Sequence, residues 1–225
     1  MAKQKNKINW RVHFTELLVV IIGISIAFAL EGWSGDRKQK RLETNYLNSL
    51  KADLVKDKED LQAAIDSTRI LLGHVGEMFG FIYQNSPAES YRRHHITSSY
   101  LPPYFYPQNG TYVSLNNSGD ISVVQSFELK AALSDLYNVQ YREVEQLDNV
   151  VRNLVDNMIQ PYMIDHIKFA FTRDGIDDAA PLKETKAINM LGSYFNILSQ
   201  RQTTYAEMMS KCDSLIAKVV QHGGS

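Results

Sequence analysis

The feature that most constrains this 225-residue chain is an unbroken apolar run, Leu17 to Leu30, closed at its two ends by carboxylates, Glu16 and Glu31. No other stretch is apolar for half that length. A run of this kind has no polar face to give to water, whereas a helix crossing the hydrocarbon of a bilayer needs ~20 predominantly apolar residues. Trp10 and Trp33 stand 23 positions apart, ~35 Å on a helix, which matches the spacing of the interfacial belts where tryptophan concentrates. Arg37, Lys38, Lys40 and Arg41 follow Trp33 and are placed to meet lipid headgroups. The run exits through Leu30-Glu31-Gly32-Trp33 rather than through a small-residue cleavage site, so a retained span is expected and not a removed signal. The sequence thus divides into an anchor, residues 1–35, and a second part, 36–225.

The net charge of −1 hides an asymmetry: residues 1–41 carry +5 and the remainder −6. Four Lys/Arg precede the run and four follow it, so the positive-inside rule is nearly silent. A short basic N-terminus leading straight into an apolar run favours a cytoplasmic N-terminus with the larger part outside. The acidic remainder argues against a nucleic-acid partner, which needs a clustered basic face. A single cysteine, Cys212, excludes an internal disulfide and a multi-cysteine metal site. It falls on an apolar helical seam and reads as a buried, inert thiol.

Gly32, Ser34 and Gly35 predict a hinge or break after the span. From there, apolar residues in steps of three and four mark three helices, at about 37–83, 126–171 and 182–221. The first seam is Leu47, Leu50, Leu54, Asp57, Leu61, Ala64, Thr68, Leu71, Val75, Met78 and Ile82, interrupted only by Asp57 and Thr68. The second reads Leu133, Tyr137, Gln140, Val144, Leu147, Val151, Leu154 and Met158, with Pro161 expected to kink or end the helix. The third reads Ile188, Leu191, Phe195, Leu198, Gln202, Tyr205, Met209, Cys212, Ile216 and Val219. Asp177 or Asp178 is placed to cap the last helix. The expected fold is all-α: one transmembrane helix, then an elongated antiparallel, coiled-coil-like bundle of about three long helices running up, down and up. Residues 84–125, rich in proline and aromatics, would sit at the distal tip, and the 173–181 turn would face the membrane.

The stretch from Glu16 to Leu54 resembles the opening of a family of single-span bacterial proteins common in Bacteroidota. The likeness rests on Glu16, Gly23-Ile24, Trp33, the basic cluster Arg37 to Arg41, and Tyr46-Leu47 through Asp53-Leu54. Tyr112-x-x-Leu115-x-x-Ser118-Gly119 is similar to that family's second signature. The resemblance implies a membrane-anchored helical domain and no catalytic residues. With the short basic N-terminus read as cytoplasmic, the expected location is a bacterial inner membrane with the bundle in the periplasm.

Candidate chemistry begins within the span. Glu16, Val20, Gly23, Ile24, Ala27 and Glu31 fall on one helical stripe, which joins two carboxylates to a Gly23-x-x-x-Ala27 pair suited to close helix approach. Glu16, ~8 Å from the midplane if the tryptophans mark the interfaces, is the deeper carboxylate. Tyr91, Tyr100, Tyr104, Phe105, Tyr106 and Tyr112 form a candidate binding loop, with packing over the bundle end as the competing use. His74-x-x-Glu77 has ligand spacing and His94-His95 lie in the loop, but structural or solvated roles are the expectation and no metal is expected. Gly73, Gly76 and Gly80 share a helical side and suggest close packing rather than a phosphate loop. No nucleophile motif or calcium loop is present, so neither an enzyme nor a cofactor is expected. The expected function is a non-enzymatic, membrane-anchored interaction or scaffold protein. Its expected partners are lipid and a second copy or another membrane protein. The alternatives are a subunit of an ion-coupled complex using Glu16, or a ligand sensor acting through residues 84–118.

Overall fold

The computed structural model describes residues 10–223, and the backbone alone for residues 11–13; Lys3, Lys5, Lys7 and the side chain of Arg11 lie outside that description. The first helix, α1, runs Trp10–Tyr83 for 74 residues, ~110 Å. It passes straight through Gly32, Ser34 and Gly35, so the expected hinge is absent. Glycine in a helix costs only about 1 kcal/mol against alanine, no proline intervenes, and the Arg37 guanidinium lies 4.7 Å over the Trp33 ring one turn earlier, bridging the weak spot.

Along α1 the seam from Leu47 to Ile82 is buried at every position, including its two polar breaks, Asp57 and Thr68. The last helix, α7 (Thr185–Gly223), lies antiparallel on it. Lys58 pairs with Asp213, Arg201 reaches Thr68, and the Phe79 and Phe195 rings meet edge-on at 6.3 Å. The buried residues of α7 include Ala187, Leu191, Tyr194, Leu198, Arg201, Tyr205, Met208, Cys212, Leu215 and Val219. Every second position of the expected seam is right; Ile188, Phe195, Gln202, Met209 and Ile216 are half-buried flanks. The helix sits between two neighbours, so its buried stripe is wider than one seam.

The middle of the chain departs most from expectation. After Tyr83 come two short helices, α2 (Arg93–Ser98) and α3 (Gly110–Asn117). The second long helix then follows as three α segments, α4 (Phe127–Asp135), α5 (Tyr141–Leu154) and α6 (Gln160–His166). These are joined by π turns at Leu136–Gln140 and Val155–Ile159. Each π turn inserts extra backbone, which rotates the buried face. Tyr141, Asp148, Val155 and Ile159 are therefore buried in place of Gln140, Leu147, Leu154 and Met158 of the expected seam. Pro161 falls at the start of α6, just past the second π turn, so the helix continues to His166. Residues 167–179 then form a small hairpin with a bridge between Phe169 and Ile176, not the helical continuation expected to 171. Asp178 accepts from the Ala180 N–H at 2.9 Å, a local turn ahead of a 3-10 segment, Ala180–Lys183, and not the expected cap of the last helix, which starts at Thr185. Gly175 (φ 153°) is required there, since a Cβ would stand 2.5 Å from the Tyr91 carbonyl oxygen.

The direction of α4–α6 also corrects the expected arrangement. Gln125 N–H donates to Glu43 (2.7 Å), Lys218 pairs with Glu128 (2.8 Å), and Tyr162 bonds Glu184 (3.0 Å). The second long helix thus starts near the apolar run and rises parallel to α1. Residues 84–126 are not a distal loop but a strap that descends the whole bundle beside α1. The 173–181 turn lies at the far end, beside Tyr91. The all-α class holds, with the order up, strap down, up, down. A Cβ added at Gly73, Gly76 or Gly80 would meet nothing within 4 Å, so close packing is not the role of these glycines.

Cysteines placed at Glu43 and Gln125 should join efficiently through a short bismaleimide. A distal loop would put these positions ~60 Å apart, and failure to cross-link would overturn the descending strap.

Candidate functional site

Between and at the ends of its short helices the strap leaves backbone N–H and C=O groups that need partners if they are buried. Here the helices supply them. Asp57 of α1 accepts from the Gln108 N–H (2.7 Å) and Asp148 of α5 from the Phe105 N–H (3.3 Å). Asp53 accepts from the Thr111 N–H (3.4 Å). From α7, Arg201 Nη1 donates to the Pro103 carbonyl (2.8 Å) and the Tyr194 hydroxyl to the Ser98 carbonyl (3.0 Å).

Two of these anchors sit in wider buried networks. Asp148 accepts the Tyr205 hydroxyl at 2.6 and 2.7 Å and pairs with Arg201 at 3.4 Å. Arg201, itself fully buried, also donates Nη2 to Thr68 (3.1 Å). Asp57 accepts the Tyr141 hydroxyl at 2.5 Å, and that oxygen lies 3.5 Å from Cys212 Sγ. Burial pushes the Asp148 carboxyl up, an effect Tyr205 and Arg201 oppose. It pushes Asp57 up to about 6 despite its two donors, and the Cys212 thiol up to about 11. Tyr137, Tyr141 and Tyr205 are raised well above the usual phenol range for the same reason. At neutral pH these hydroxyls and the thiol are protonated, and Tyr141 and Tyr205 act as hydrogen-bond donors to the buried carboxylates.

Above this floor lies a cleft of about 390 Å³ between the strap and α5, lined by Phe105, Tyr106, Tyr112, Tyr141, Asp148 and Arg152 among others. The aromatic residues of the expected binding loop are divided in use. Tyr91, Phe105 and Tyr112 are buried, Tyr100 and Tyr104 half-buried, and Tyr106 exposed. Tyr112 stacks on Tyr137 with centroids 4.4 Å apart and planes 6° from parallel. The Arg152 guanidinium covers Tyr104 at 4.4 Å and donates to the Tyr106 hydroxyl at 3.1 Å. Most of this aromatic surface is spent on packing.

The residues in and around the apolar run behave differently. Trp10, Glu16, Val20, Gly23, Ala27, Glu31, Trp33, Arg37, Lys38, Lys40 and Arg41 are all exposed. Ser25, the one hydroxyl inside the apolar run, donates to the Ile21 carbonyl at 2.8 Å, so its polarity is satisfied within the helix.

Asp148, Arg201 and Tyr194 do not stand out in the sequence. The π turns hide Asp148, and the one-residue offset in the α7 seam hides Arg201. Asp57 and Thr68 are visible as breaks in a seam, and such breaks are the signal for buried polar anchors.

A family model, described as a family of unknown function (DUF6090), matches residues 16–154, well over half of the chain. The match takes in the apolar run, the strap, Asp57 and Asp148, and stops before α7. No curated protein and no solved structure matches the chain.

Two outcomes follow for the anchors. Arg201→Leu strips Asp148 of its buried cation and should lower stability in urea titration by about 3–5 kcal/mol; a loss below about 1 kcal/mol would show the pair is not a net support. For Asp57, the folded protein holds the proton more tightly than the unfolded chain, where its pKa is the ordinary 3.8. That stabilisation is complete below about pH 4 and is lost as pH rises through about 6. The stability margin of the wild type over Asp57→Asn should therefore shrink by about 2–3 kcal/mol between about pH 4 and pH 7. A margin independent of pH would contradict it.

Proposed function

The chain belongs to the DUF6090 family, and we propose that it is a membrane-anchored, non-enzymatic interaction protein whose first helix is both the membrane span and the spine of the bundle. One observation carries this reading: α1 is unbroken, exposed and apolar along its first turns, and buried on one face from Leu47 onward. The described chain has one helix long and apolar enough to cross a membrane, and none of that helix's apolar window is covered by the rest of the chain. In water that surface far exceeds what a soluble monomer exposes; in a bilayer it is matched by lipid.

In this reading the span sits in a bacterial inner membrane, with the N-terminus in the cytoplasm and the bundle in the periplasm. Its partners are lipid and a second helix, from another copy or another membrane protein, seated on the stripe of Glu16, Val20, Gly23, Ala27 and Glu31. A Cβ at Gly23 meets nothing within 4 Å, which leaves room for a neighbouring backbone. An accessory subunit or scaffold needs no more than this: a bundle held at a fixed direction from the membrane. A sensor is the second reading. The 390 Å³ cleft and an uninterrupted helix from bundle to span are what favour it.

Two measurements test the proposal. Because Cys212 is buried and its thiol raised, single cysteines introduced at Asn6 and Lys130 report sidedness to an impermeant maleimide without background. Labelling of intact cells should occur at 130 and not at 6; the reverse pattern would invert the topology, and a soluble, fully labelled protein would end the membrane reading. Gly23→Leu with Ala27→Leu should shift the detergent-solubilised protein to a smaller assembly or release a co-purifying partner. An unchanged size and composition would remove the stripe as an interface.

A further inference from the structure

At the far end of the bundle the strap begins its descent, and its first α segment, α2, is held to α1 through imidazoles. His74 and Glu77 come from α1, His94 and His95 from α2. His95 Nδ1 accepts the Arg92 backbone N–H at 2.9 Å. The neutral ring therefore carries its proton on Nε2 and donates it to Glu77 Oε2 at 2.8 Å. The ring is buried and packed edge-on against Phe81 at 5.3 Å. The His94 ring lies 4.2 Å from it, and His74 lies 4.4 Å from His94 and 5.9 Å from His95. His74 Nδ1 meets Ser98 Oγ at 2.7 Å, a second tie between the two helices.

This arrangement has no place for a second proton on His95. The proton would go to Nδ1 and turn an acceptor into a donor that faces the Arg92 N–H. The bond that opens α2 would be lost, and a charged ring would be left in a buried site. The surroundings give little to offset that charge. From α1 the ring faces His74 and Glu77, and from the strap His94, Arg92 and Arg93. Glu77 is the carboxylate in reach of the rings. Asp174 of the hairpin is taken by the Arg93 N–H at 3.2 Å and its guanidinium at 3.9 Å. Glu89 faces Arg173 at 3.8 Å, and Asp177 pairs with Lys168 at 2.8 Å. From α7 comes only the uncharged Tyr194 hydroxyl, on the Ser98 carbonyl. Burial, with the other imidazoles, holds His74 below its ordinary range, and burial does the same to His95 against the pull of Glu77.

The cover that α2 forms is also incompletely satisfied. Of five buried polar side-chain atoms without a partner among the described residues, Tyr91 Oη and Arg173 Nη1 lie at this end. Beneath it, Tyr91 and Ile96 join the far apolar cluster with Val75 and Met78. We propose that α2 is a proton-operated latch: neutral imidazoles close the far end of the bundle, and acidification lifts α2 from α1 and bares the apolar surface around Tyr91 and Ile96. In the closed state His74 and His95 resist a proton that they take readily once α2 is free. Closure is therefore complete above the ordinary imidazole value of 6.5 and is lost as pH falls below it. The sign is opposite to that of Asp57, whose contribution grows on acidification, so the two cannot mimic each other. The latch sits at the end of α1 away from the apolar run, and its operation does not require a membrane.

The test is amide exchange on the full-length protein in detergent, expressed as protection factors so that the intrinsic pH dependence of exchange drops out. Between about pH 7.5 and 5, protection across residues 92–101 should fall by about tenfold or more, while residues 47–61 of α1 keep theirs. His95→Gln retains an acceptor for the Arg92 N–H, as glutamine does at this helix position, but cannot charge, and its acid loss should shrink to about threefold or less. Glu77→Gln removes the carboxylate beside the rings and should move the midpoint of release up by about 0.5 pH unit or more. A merely structural contact at Glu77 would change protection at every pH without moving the midpoint. If His95→Gln frays α2 at all pH values, His74→Gln with His94→Gln leaves the Arg92–His95 bond in place and should move the midpoint down. Protection independent of pH in the wild type would overturn the latch. So would a midpoint that stays put in all of these variants, which would assign the response to another group.

Discussion

The fold depends on satisfying an irregular backbone inside a helical bundle. Three long helices bury a continuous stripe each, and the fourth column of the bundle is a strap that is irregular between its two short helices. Burying an amide without a partner costs roughly as much as a whole hydrogen bond gains. Asp57, Asp148, Arg201 and Tyr194 meet that requirement from three different helices. Placing ionised groups in the core is itself unfavourable. The arrangement offsets the cost by giving each carboxylate at least two donors and setting Arg201 between Asp148, Thr68 and the Pro103 carbonyl. These contacts also fix register, since a strap displaced by one residue would leave both carboxylates without their amides.

The same polar layer divides the interior. On the side of the apolar run, Leu47 to Ile65 packs with Leu129 to Val144 and Tyr205 to Val219. On the far side, Leu71 to Ile82 packs with Val151 to Ile167 and Ala187 to Leu198. Thr68, Asp148 and Arg201 lie between the two. Each apolar cluster draws on every long helix, so the layer is a seam in composition and not a boundary between domains. A core split in this way holds its helices in one axial alignment, because sliding any of them would draw an ion into hydrocarbon.

Legibility in the sequence varies with what keeps the helical period. The α1 seam is readable to the residue because nothing disturbs its three-four spacing, and even its polar breaks mark real anchors. In α7 the period is right and the facing half wrong, since a helix with two neighbours buries a stripe too broad for one choice of seam. The second long helix loses its phase at Leu136–Gln140 and Val155–Ile159, where π turns insert backbone that no local composition announces. The strap is misplaced for a different reason. Residues 84–126 are as consistent with a large terminal loop as with a descent of the bundle, and only contacts such as Gln125 with Glu43 distinguish them. The 2.8 Å contact of His95 with Glu77 is invisible for the same cause, since the two lie 18 positions apart and their meeting depends on the strap's direction.

The unbroken α1 has a mechanical consequence that a hinged helix would lack. Had Gly32 and Gly35 broken the helix, the apolar segment and the bundle would tilt and rotate independently, and events in one would be lost to the other. With α1 continuous, the stripe holding Gly23 and Ala27 stands at a fixed rotation from the seam that begins at Leu47, because each intervening residue adds about 100°. If two apolar segments pair through that stripe, as proposed, the pairing fixes which faces of two bundles confront each other. The strap is pinned to this same helix at Glu43, Asp53 and Asp57, toward the apolar run, and meets Glu77 at the far end. Restraining the strap at its upper end thus stiffens the helix that carries the apolar run, and the physical route between the two ends of the molecule is α1 itself.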